Sequence, residues 1–320
     1  MAFIPQSLNW PGTRAILMVH GIGDASAGKA GSFPDDALRG ILGADTAATA
    51  IYRLNYDFIN DWLATKVNFT AGVNALKTAL SVKLGGAATD AVIAEYAGDV
   101  LWPVLSADLR FAIRDAYLAQ LQQIQLDRDR AADARGDNPL KYSVSILAHS
   151  LGCFHTYEVL TAAAAEPAHQ LRPASDLVTY DSVILMASPV QIIRTIGAAI
   201  AGLIPDIGSL TTLSQPLAIP AEMRRGRNVR CTKQFVSVTG THDPVGGHVL
   251  GRRLSWAYMT MPGQKSIVVP QTGLCITSAQ GTAQALAAAF GPGGPVANDP
   301  HSWTAYVSSQ ETLLRTGVVV

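Results

Sequence analysis

Four stretches, RAILMVH (14–20), YSVSILAH (142–149), DSVILMA (181–187) and KQFVSVTG (233–240), are short, rich in β-branched residues and almost continuously apolar. A strand that alternates polar and apolar positions buries one face. A strand that is apolar at nearly every position must bury both, and such strands belong to parallel sheets covered by helices on either side. TAIYRLNY (49–56), which alternates, and KSIVVP (265–270), which Pro270 closes, add two further strands. Helix-like segments fall between them, so the pattern predicts an α/β protein with a mainly parallel sheet flanked by helices.

Composition agrees with that class and removes several others. Of 320 residues, 48% are hydrophobic and 15% charged, with a mean hydropathy of +0.21, which supplies a large core and excludes a disordered chain. No repeat and no linker marks a boundary, so residues 1–320 are expected to form a single domain. The 24 basic and 24 acidic residues cancel, so no overall field draws the chain to nucleic acid or to an anionic membrane.

The opening MAFIPQSLNWPGTR lacks the basic start and small-residue cleavage site of a secretory signal. Cys153, Cys231 and Cys275 are widely spaced and odd in number, which points away from zinc or a redox pair and toward buried thiols of a cytoplasmic protein. The longest apolar stretch, from Ala187 to Gly208, is interrupted by Arg194 and by prolines, so no stable membrane insertion is expected.

Between residues 106 and 126, Leu109, Ala112, Ile113, Ala116, Tyr117, Leu121 and Ile124 recur on one face at helical spacing, with Ser106 as the cap. The mixed charges of DRDRAADARGDNP, which follows, read as a solvated helix end and loop.

The chemistry concentrates in SILAHSLGCF. Ser150 stands where an apolar strand gives way to a helix, flanked two residues on either side by Ala148 and Gly152. A turn that sharp strains the central residue and crowds the neighbouring chain, which requires small residues at those two positions. It should lift Ser150 Oγ above the sheet, beside the first amides of the new helix, including that of Leu151. A nucleophile and half of an oxyanion hole arise together.

A-H-S-L-G after a strand resembles the G-x-S-x-G nucleophile elbow of the α/β-hydrolase superfamily, in its lipase and carboxylesterase form, with Ala148 in place of the first glycine. The earlier AILMVHGIGD is similar to the superfamily's oxyanion loop, and the resemblance assigns the second oxyanion donor to the amide of Ile22. The family order of serine, acid and histidine then implies Asp243, in VSVTGTHDP, as the triad acid and His301, in NDPHSW, as the base. Asp24 and Asp299 are left outside the catalytic set. His20 and His149 read as wall or support residues, His155 and His169 as helix-face positions, and His242 and His248 bracket the acid loop.

The resemblance implies a serine hydrolase that cleaves carboxylic esters through an acyl-enzyme, with catalytic residues Ser150, Asp243 and His301, oxyanion donors Ile22 and Leu151, and neither metal nor organic cofactor. The expected partner is a small-molecule ester. A peptidase, thioesterase or acyltransferase would use the same triad, and a binding protein could use the same fold. Ile192, Ile196, Ile200 and Leu203 recur at helical spacing, so residues 189–225 form either a cap that receives an apolar acyl or alcohol group or an ordinary sheet-covering helix.

Overall fold

The alternating pattern folds as a parallel sheet. A computed structural model describes residues 3–21, 33, 35–56, 107–165, 180–188, 224–225, 229–230, 232–240 and 264–269. Six strands, β1 (Arg14–Val19), β2 (Thr49–Leu54), β3 (Ser143–His149), β4 (Tyr180–Met186), β5 (Thr232–Gly240) and β6 (Gln264–Val269), join in the order β2-β1-β3-β4-β5-β6. Every neighbouring pair is parallel. The chain is therefore α/β, as the apolar runs predict. The only other strands among the described residues are two short ones, Arg224–Arg225 and Val229–Arg230, which pair antiparallel.

Strands β1, β3 and β4 are buried on both faces, and successive residues serve opposite faces. Ala15, Leu17 and Val19 of β1 join Tyr52, Ile146 and Leu185 in one core with Ile113, Tyr117 and Ile124 of helix α2 (Ala107–Arg135) and Phe154 and Tyr157 of helix α3 (Leu151–Ala165). Ile16 and Met18 turn the other way, into a second core with Leu147, Ile184 and Met186 and with Leu38 and Leu42 of helix α1 (Asp35–Leu42). Each fully buried aliphatic side chain stabilises the fold by about 1.5–3 kcal/mol, so a β1 that was polar on either face could not hold its place between β2 and β3. No helix among the described residues is long and apolar enough to cross a membrane.

The helix predicted over 106–126 is longer than its apolar stripe. It continues to Arg135 and closes with Gly136 at φ 65°, where the Gly136 amide donates to Asp133 O and the Asp137 amide to Ala132 O. Ser106 and the side chain of Leu109 lie outside the described residues. DRDRAADAR is thus helix throughout, and one of its charged residues is not solvated. Asp127 is buried and accepts from Ser7 Oγ (2.9 Å), the Leu8 amide (2.8 Å), Tyr52 Oη (2.9 Å) and Gln123 Nε2 (2.8 Å). The stripe continues through Gln120, Ile124 and Asp127, with polar residues where the N-terminal segment packs on α2.

That segment also reaches β2, at one end of the strand order among the described residues. Gln6 and Gln120 exchange two hydrogen bonds, of 2.8 and 2.9 Å, and Gln6 Oε1 accepts from the Arg53 amide of β2 at 2.9 Å. At the far end of α2, Arg135 donates to the carbonyls of Trp10 (2.6 Å), Pro11 (3.0 Å) and Gly12 (2.8 Å). Trp10 Nε1 donates to Tyr52 Oη at 2.8 Å, which extends the Asp127 network into the first core.

Candidate functional site

The sheet order reverses between β1 and β3, because the chain goes from β1 outward to β2 and returns to lay β3 on the other side of β1. At such a reversal the connections leave neighbouring strand ends in opposite directions and open a crevice at their carboxyl ends. Gly21 and Ser150 stand there, one after β1 and the other after β3.

Ser150 has φ 52°, in the left-handed region that residues with a Cβ avoid. Its own amide remains tied to the sheet, donating to Met186 O of β4 at 3.0 Å. Its carbonyl already serves the helix, accepting from the Cys153 amide at 2.9 Å. Strand and helix are thus joined across one residue, and the strain is the result. Leu151 opens α3, so its amide belongs to the first turn, whose N–H groups have no acceptor within the helix. Ala187, the residue after β4, repeats the left-handed geometry at φ 55°, with its amide donating to Val238 O at 3.0 Å.

Gly152 is required by neighbouring backbone, and Gly21 by both the side chain of Ser150 and the backbone of His149. A Cβ on Gly152 would stand 2.7 Å from Val19 O and closer still to His20 O, neither of which can move without displacing β1. A Cβ on Gly21 would collide with Ser150 Cβ and come within 3.0 Å of both Ser150 Oγ and His149 O. The end of β1 is therefore pressed against the Ser150 turn. Ser150 is buried, with Gly21 packed against it.

Below the turn, Cys153 is a buried thiol whose Sγ lies 3.3 Å from Ala148 O and 3.2 Å from Met186 O, two acceptors that share its single proton. Cys231 and Cys275 lie outside the described residues. Behind Gly21, His20 stacks on Tyr56 with ring centroids 4.5 Å apart and meets Phe33 edge-on at 5.7 Å. Burial lowers the His20 pKa to about 4, against smaller opposing contributions from hydrogen bonds to the Gly21 backbone and the Asn55 side chain, so the ring is neutral at pH 7. His155 meets Tyr56 edge-on at 4.9 Å. His20, His149 and His155 are all buried.

Of the residues expected to carry the chemistry, Ser150 and Leu151 are brought to the carboxyl end of β3, with Gly21 of the expected oxyanion loop beside them. Ile22, Asp243 and His301 lie outside the described residues, as do Asp24, Asp299, His169, His242 and His248. So does the stretch 189–225, apart from Arg224 and Arg225. Among the described residues no group of histidine, cysteine and carboxylate side chains could hold a metal ion. Tyr56 was legible only as the end of an alternating strand, and nothing in its neighbours marked it as part of this site.

No protein-family model matches the chain, and comparison with curated proteins finds no significant relative.

Proposed function

We propose that the chain is a serine hydrolase of α/β-hydrolase type that cleaves carboxylic esters bearing apolar groups. The observation that carries this reading is the strained Ser150, at φ 52° on the β3–α3 junction, with Gly21, two residues beyond β1, packed against its Cβ. Structural serines that merely cap a helix take ordinary extended backbone. A serine held in left-handed geometry at a sheet reversal suits a nucleophile that must project from the tip of a turn.

In the proposed reaction Ser150 Oγ bonds to the ester carbonyl carbon while its proton passes to His301. The carbonyl electron pair moves onto oxygen, which the amides of Ile22 and Leu151 hold. Collapse re-forms the carbonyl and expels the alkoxide, which takes the proton from His301, leaving an acyl-enzyme. Water then repeats the sequence and releases the acid. Asp243 orients His301 and stabilises its charged form.

The test is labelling and turnover in the full chain. An active-site fluorophosphonate should label the wild-type protein and not Ser150→Ala, and Ser150→Ala should lose roughly three or more orders of magnitude in kcat while melting normally. Asp243→Asn should lower kcat far more than Asp299→Asn. A panel of ester, thioester, amide and peptide substrates then fixes the class. Unchanged ester turnover in folded Ser150→Ala would sink the proposal.

A further inference from the structure

The carbonyls of His20 and Gly21 converge on one hydroxyl. Tyr56 Oη, two residues beyond β2, lies 2.9 Å from His20 O and 3.3 Å from Gly21 O. A phenol has one proton, so the first contact is the hydrogen bond and the second is a weaker, shared one. The same His20 carbonyl is pressed against Gly152 in the first turn of α3, and Gly21 is pressed against Ser150. One hydroxyl therefore sits behind the two points at which the exit of β1 touches the Ser150 turn.

From this placement we infer that Tyr56 is a positioning residue, whose hydroxyl fixes the exit of β1 in register with Ser150 so that the oxyanion-binding loop meets the tetrahedral intermediate correctly; the inference rests on the serine hydrolase reading. Peptide planarity supplies the mechanism. In a trans peptide the N–H points opposite the C=O of the residue before it, so the contact to His20 O steadies the peptide that enters Gly21, and the longer contact to Gly21 O bears on the peptide that supplies the proposed oxyanion amide. Tyr56 needs no contact with substrate to act in this way. Its ring is separately held, stacked on His20 at 4.5 Å and edge-on to His155 at 4.9 Å, so removing the hydroxyl leaves the aromatic packing in place.

The variant is Tyr56→Phe in the full chain, with active sites counted by fluorophosphonate labelling so that rates refer to folded, reactive molecules. Two inhibitors separate positioning from packing. A trifluoromethyl ketone accepts Ser150 Oγ at its carbonyl carbon, with the proton going to the base and the electron pair to the ketone oxygen, and so uses the oxyanion site. The matching methyl ketone binds without that addition.

Tyr56→Phe should lower kcat by roughly 10- to 100-fold with little change in KM, weaken the trifluoromethyl ketone by the same factor and leave the methyl ketone unaffected. Replacing Tyr56 by 3-fluorotyrosine, which keeps the donor, should restore the rate. A wild-type rate per labelled site in Tyr56→Phe, or equal weakening of both ketones, overturns the inference while the hydrolase reading stands. Failure of the wild-type protein to label at Ser150 overturns the hydrolase reading and the role of Tyr56 with it.

Discussion

Gly152 lies against the carbonyl oxygen of Val19, so closely that a methyl group placed on it would stand 2.7 Å from that oxygen. Both groups are main-chain atoms of elements packed on two sides, and neither can yield as the end of a long side chain could. Gly152→Ala should therefore destabilise the fold by about 1–3 kcal/mol, read as a lower urea midpoint with an unchanged slope. A wild-type midpoint would mean that β1 and α3 separate more easily than their packing suggests.

Strain at Ser150 predicts the opposite sign for a change at the next site. Glycine occupies φ 52° without a Cβ penalty, so Ser150→Gly should raise stability by about 1 kcal/mol or more while ester turnover disappears. Thermal melting and a turnover assay on the same preparation check both halves. A fall in melting temperature would show that the left-handed backbone there is not a cost to the fold.

Asp127 makes a third case, because its partners come from three parts of the chain. In Asp127→Asn one carboxylate oxygen becomes an NH2 group, which either meets the Leu8 amide donor against donor or forces the Ser7 hydroxyl and the Gln123 amide to turn round and accept. A loss of about 2–4 kcal/mol is expected. The N-terminal segment should then become sensitive to limited proteolysis before the rest of the molecule unfolds.

His20 gives a dependence on pH with a defined direction. Its pKa is about 4 in the folded protein against 6.5 for the ordinary side chain, so between those values the unfolded chain binds a proton that the folded chain does not. Its contribution to stability is complete above pH 6.5 and is lost progressively as the pH falls toward 4, by about 3 kcal/mol in all. The slope of unfolding free energy against pH over that window should flatten in His20→Asn. An identical slope in the variant would assign the acid sensitivity to other groups.

Most strands were legible because a parallel sheet buried on both faces leaves a near-continuous apolar run, as in β1, β3 and β4, and the expected limits fall within one or two residues of the observed ones from β1 to β6. The Ser150 turn was legible for a local reason as well, since its requirement for small neighbours is met within five residues. Asp127 was not. Charge read along the chain suggests solvent, and what buries this carboxylate is Ser7 and Leu8, about 120 residues earlier. Tyr56 escaped for the same reason, because its role depends on carbonyls some 35 residues away that no sequence pattern ties to it. Asp243 and His301 rest on family order and lie outside the described residues.

The cover that Gln6 provides for β2 bears on how this molecule behaves in company. Beside β2 no further strand pairs among the described residues, and its row of amides would otherwise template an extended segment from another chain. By accepting the Arg53 amide with a side chain, and by holding its own backbone to Gln120 on α2, Gln6 occupies part of that row without offering a continuing strand. Among the described residues, the N-terminal segment thus takes up an edge amide of β2 that an extended segment of another chain could otherwise pair with.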